Sequence, residues 1–162
     1  MQSRPEQLIR LLGLTRHPEG GYFRETYRST GIIPGAPPGG DRNFSTAIFF
    51  LLVHPETSRF HRLLSDEIWH FHEGSPVALH LVSPGGEYAV QLPGPELEKG
   101  QSYQVAIPAH TWFAAEVLYD GGHALMGCTV APGFDFRDFK LGGRDDLTKL
   151  FPAHGELIRR FT

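Results

Sequence analysis

A chain of 162 residues is sized for one domain with one hydrophobic core, and folding at this length buries roughly 70% of the unfolded surface. A net charge of −3 with no basic stripe argues against nucleic acid as a partner. The single cysteine, Cys128, excludes an internal disulfide, no apolar run approaches the ~20 residues of a membrane helix, and a cytoplasmic location is the expectation.

A short helix opens the chain. Ser3-Arg-Pro-Glu6 has the form of a capping box, Leu8, Leu11 and Leu12 share a face, and Gly13 can end the helix. The polar start and the interruptions at Arg10 and Gly13 do not resemble a secretory leader. Gly21–Ser29 then reads as a strand, with Tyr22, Arg24 and Thr26 facing one way and Phe23, Glu25 and Tyr27 the other. Gly31–Asn43 holds four Gly and three Pro and reads as a long exposed loop. From Thr46 onward a series of short strands is predicted, at 46–54, 57–63, 67–73, 77–82, 88–92, 103–107, 112–118 and 124–130. Turn signals such as Ser83-Pro-Gly-Gly86 and Asp120-Gly-Gly122 separate them. So many short strands indicate an all-β sandwich or barrel. The tail from Asp145 to Phe161 reads as helical around Leu147, Leu150 and Phe151, interrupted by Pro152. No linker or repeat divides the chain, so residues 1–162 form a single expected domain.

Chemistry concentrates between Phe60 and Gly74. Alternation puts Glu67, Trp69 and Phe71 on one face of a strand and Ile68, His70 and His72 on the other. A carboxylate among aromatics must be paired, ligating or protonated if that face is the interior. His61 lies on the preceding strand and can face Glu67, as an acid–base pair or as half of a metal site. An ion pair of Glu67 with Arg59 or Arg62 is the structural alternative. His17, His54, His123 and His154 sit beside Pro, Gly or chain ends and read as solvated, and His80 as a surface or satisfied core residue. Cys128 reads as a buried small hydrophobe.

These segments resemble the cupin superfamily. His61, Glu67 and Gly74 match the first cupin motif, and the stretch from Gly100 through Pro108 to Phe113 resembles the second. His17–Ser29, Ser65–His72 and Gly127–Phe136 resemble signatures of one branch, cupin family five, whose members are largely of unassigned function. The resemblance implies a double-stranded β-helix, a jelly-roll barrel, with a site inside it. Leu63 and Phe113 stand where two of the four metal ligands of the motif would be, which leaves too few protein ligands for a tight centre. The leading expectation is therefore a cofactor-free site for a small molecule, sugar-like or sugar-nucleotide-like, with epimerase- or isomerase-type chemistry. His61 would be the base, Glu67 its partner, and Tyr22, Arg24, Trp69, Phe71 and Trp112 would hold the ligand. The alternatives are a metal-dependent enzyme, using His61 and Glu67 with a third ligand from His70, His72 or His110, and a binding module without chemistry. By the same resemblance a homodimer is expected.

Overall fold

The computed structural model describes residues 2–36 and 39–162. Helix α1 (Arg4–Leu12) forms where the capping signals place it: Ser3 and Glu6 close a reciprocal capping box, and Gly13 ends the helix at φ 61°. The strands follow as β1 (Thr15–Arg16), β2 (Tyr22–Arg28), β3 (Ile32–Ile33), β4 (Arg42–Asn43) and β5 (Thr46–Val53). After these come β6 (Thr57–Arg62), β7 (Asp66–Gly74), β8 (Val77–Val82) and β9 (Tyr88–Gln91). The last strands are β10 (Gln104–Ile107), β11 (Trp112–Val117), β12 (His123–Ala131) and β13 (Lys140–Leu141). Two short helices, α2 (Arg144–Leu150) and α3 (Gly155–Arg160), close the chain on either side of the Pro152 interruption.

Two antiparallel sheets face each other. The first runs β1-β2-β5-β12-β7-β10 and the second β13-β6-β11-β8-β9. They do not share a ladder, so the expected barrel is a pair of open sheets with the core between them. The strands alternate as period two requires. On β5, Phe50 and Leu52 enter the inter-sheet core, while Leu51 joins Leu8, Leu14 and Leu125 under α1. The helix thus covers the second apolar face of β5. On β11, Phe113, Ala115 and Val117 point inward, and Trp112 and Ala114 point outward. Leu147, Phe151, Ile158 and Phe161 of the C-terminal helices pack over that outer face.

Gly31–Asn43 is more ordered than a long open loop. β3 pairs with β4 as a small hairpin, and Ala36 is buried; positions 37 and 38 of the expected loop lie outside the described residues. The hairpin is clamped to the segment after β12 by the Arg42–Asp138 ion pair, with hydrogen bonds of 2.6 and 2.7 Å between buried groups.

Three β-bulges shift the alternation. One lies in the β2–β5 pairing between Glu25 and Tyr27, one in β6–β11 opposite Phe113 and Ala115, and one in β7–β12 at Leu125 and Met126. An extra residue on one strand reverses the facing of everything beyond it.

Candidate functional site

One end of the inter-sheet space is not filled. A cavity of about 330 Å³ opens there, lined by β2, β5, β6, β7 and β12 and by the strap Phe134–Phe139 that follows β12. His61, Glu67 and Trp69 line it, as the sequence suggests.

The partner of His61 is Glu19, a residue from the turn between β1 and β2. His61 Nε2 lies 2.9 Å from Glu19 Oε2, and both side chains are buried. Ser58 donates to the other carboxylate oxygen at 2.9 Å. His61 Nδ1 donates to the Arg59 carbonyl at 2.7 Å. Ser58 and His61 are three apart in sequence, so simple alternation would turn them to opposite faces. The β6 bulge brings both to Glu19, because two residues of β11 span what takes three on β6. The turn that carries Glu19 needs glycine: at Gly20, with φ 116°, a Cβ would stand 2.2 Å from the Thr57 carbonyl oxygen.

The electrostatics follow from this geometry. Burial alone would lower His61, but the Glu19 charge and hydrogen bond outweigh it and hold the imidazole above its ordinary range. Burial alone would raise Glu19, yet the His61 charge and hydrogen bond, with the Ser58 hydrogen bond, pull it below the usual carboxylate value. The couple is therefore an imidazolium–carboxylate pair. Glu67 has a different environment. Burial pushes its carboxyl up to about 7, with the His61 charge opposing and the Glu19 charge assisting. The buried Trp69 indole N–H lies beside the carboxyl and favours its charged form, against the larger effect of burial. The Cys128 thiol is also adjacent, and burial and both glutamates push it well above its ordinary range, so it is no thiolate.

His17 is buried in the cavity wall rather than solvated. Its ring meets Phe23 edge-on with centroids 4.6 Å apart, and its Nδ1 accepts the Glu19 N–H at 3.3 Å. Burial lowers it more than Glu19 raises it, which keeps the ring neutral.

Several expected ligand contacts lie elsewhere. Tyr22 and Arg24 occupy the opposite face of β2: Tyr22 packs on the α1 cluster under Arg16, and Arg24 reaches toward Gly13. Phe23 and Glu25 take the cavity side, and the β2 bulge turns Arg28 inward as well. The cavity's arginine is thus Arg28 in place of Arg24. Trp112 is buried on the outer face of the second sheet, beneath Arg62, away from the cavity. Phe71 packs against the inter-sheet core but does not line the cavity. His80 is a satisfied core residue, bonded to Tyr88 at 2.8 Å and to Glu116 at 3.3 Å.

The residues present do not fit a tight transition-metal centre. Both ring nitrogens of His61 donate, so neither offers a lone pair while Glu19 holds it. Leu63 lines the cavity, and the Phe113 ring lies 4.0 Å from that of His61, in the positions where further ligands would be needed. The expected extra ligands do not reach them. His70 bonds Thr129 on the outer face, His72 is exposed there beside Phe49, and His110 is an exposed turn residue at φ 68°. Among the described residues no three His, Cys, Asp or Glu are grouped to hold a metal ion.

Known proteins share this architecture. A protein of Saccharomyces cerevisiae described as uncharacterised, YML079W, is 34% identical over 161 residues, spanning 90% of this chain and 79% of the yeast protein. A hypothetical protein from Leishmania major superposes with a TM-score of 0.92 at 34% identity, covering 97% of each chain. Protein SO0799 from Shewanella oneidensis gives 0.90 at 34% identity, covering 100% of this chain and 98% of that one. The family model described as Cupin superfamily (DUF985) matches residues 6–142, and with that match over most of its length the chain belongs to this cupin family.

Proposed function

We propose that the chain binds a small molecule in the cavity and moves a proton on it without a metal, in the manner of an isomerase or epimerase. The observation that carries this reading is Glu67: a buried carboxyl lining the cavity, with no cation of its own and a pKa of about 7. A group that titrates near the working pH exchanges protons most effectively in either direction. His61 takes the other role. Its nitrogens are committed to Arg59 and Glu19, so it serves as a fixed positive centre, and Glu67 serves as the base. Glu19 is a positioning residue for that imidazolium.

Incubation with small hydroxy-carbonyl and amino-carbonyl compounds in heavy water tests the reading. Solvent deuterium is expected beside the carbonyl of at least one compound, and Glu67→Gln is expected to abolish the exchange. A compound that raises the melting temperature yet is recovered unlabelled would overturn catalysis and favour the second reading, a ligand-binding module. The aromatic wall of Phe23, Trp69 and Phe136 supports that alternative equally.

A further inference from the structure

The charges around the cavity are paired with one exception. Glu19 is held by His61. Glu25 accepts two hydrogen bonds from Arg28, at 2.9 and 2.7 Å. Arg28 directs its other contacts to Asn43 Oδ1 at 2.7 Å and to the Phe134 carbonyl at 3.0 Å. Asp135 is chelated by the Arg137 backbone and guanidinium at 2.7 to 2.9 Å. Glu67 alone among these acids has no ion-pair partner among the described residues.

This pattern disfavours an anionic ligand. Arg28 and the His61 imidazolium are the cations lining the cavity among the described residues, and each is already neutralised by a carboxylate. A phosphate or carboxylate entering here would meet no free cation and would face Glu67. The desolvation cost of burying it would go uncompensated.

The rest of the wall is aromatic. Phe134, Phe136 and Phe139 of the strap form a mutually tilted trio, with centroids 4.9 to 6.3 Å apart and interplanar angles of 63 to 82°. Phe136 is 55% exposed although it lines the cavity, so its ring is available to a ligand. Ring faces are the negative ends of their quadrupoles and attract cations.

We infer that the cavity selects a small organic cation, a protonated or quaternary amine, held between the Glu67 carboxylate and the phenyl rings of the strap. This rests on the proposed role of Glu67 as the group the ligand meets. A diphosphate-bearing sugar nucleotide is on this account a poor fit, whereas an amine beside a polar or aromatic skeleton is a good one.

Three probes of one shape and different charge test the inference: benzylamine, benzyl alcohol and benzoate, titrated calorimetrically above neutral pH with the amine still protonated. The amine is expected to bind about tenfold tighter than the alcohol, and benzoate not at all. Glu67→Gln should erase the preference of amine over alcohol. Phe136→Leu, an exchange at an exposed position that keeps apolar bulk and removes the ring, should weaken the amine by about threefold. Benzoate binding as well as the amine, or the alcohol equalling it, would overturn the charge selection and leave the cavity's binding role standing. Failure of all three probes at about 10 mM, together with no deuterium exchange, would overturn both. The wild-type series decides the matter even if a variant does not fold.

Discussion

The space between the two sheets is used in two ways. At one end Val77, Leu79, Val117 and Ala124 meet with almost no exposure, and apolar side chains fill the interior. At the other end the same pair of sheets encloses Glu19, His61 and Glu67 around open volume. Both ends are built from period-two strands. They differ in what completes them: strand residues alone at the packed end, and a turn, a strap and local bulges at the polar end. The packed end is held by area and the polar end by a few charges, so the two should respond to different perturbations.

The largest effect is expected at the polar end. His61→Asn would leave Glu19 buried without its counter-charge, a loss of roughly 3–5 kcal/mol, measurable as a lower midpoint in denaturant. Leu79→Ala at the packed end should cost about 2–5 kcal/mol at any pH, since it removes apolar contact and leaves a void. A steep pH dependence of that loss would show that the packed end is not purely apolar in character.

Glu67→Gln should separate the two ends by sign. Glu67 is raised from the ordinary carboxyl value to about 7 on folding, so the native state holds a proton that the unfolded chain releases. Its contribution is full below the unfolded value and is lost as the pH rises through about 7. The glutamine variant has no such loss and should be the more stable protein above neutrality, by up to roughly 3 kcal/mol. Equal stability at pH 5 and pH 8 relative to wild type would place Glu67 in a solvated site. The smallest effect is optical. The chain has two tryptophans, Trp69 in the cavity wall and Trp112 behind the second sheet. A ligand in the cavity should therefore change the emission of Trp112→Phe, which retains Trp69, and leave that of Trp69→Phe unchanged.

The packed end was largely legible in the sequence. Runs such as Thr46–Val53 and Val77–Val82 announce themselves by apolar content, and their turn signals bound them to within a residue or so. The polar end was legible only where alternation survives. Glu67 and Trp69 share a bulge-free part of β7, and their common facing follows from spacing. Tyr22 and Arg24 share a face as read, but alternation does not say which face is inside, and α1 claims theirs. Trp112 missed the cavity for the same reason. Arg28 was hidden by the β2 bulge, and the joint approach of Ser58 and His61 by the β6 bulge. Glu19 was visible in principle. An acid followed by Gly20-Gly21, both at positive φ, marks a turn that brings backbone against backbone, and the carboxylate is delivered there.

The absence of a shared ladder between the two sheets has a mechanical consequence. Ladder hydrogen bonds tie strands within each sheet, whereas apolar side-chain packing holds one sheet to the other at the packed end. At the cavity end the tie is the Glu19 turn: its carbonyl accepts the Arg59 N–H at 2.8 Å, and its carboxylate is bonded to His61 and Ser58. The width of the pocket is thus set by one clamped turn, and a change that frees Glu19 should loosen the cavity while the packed end stays closed.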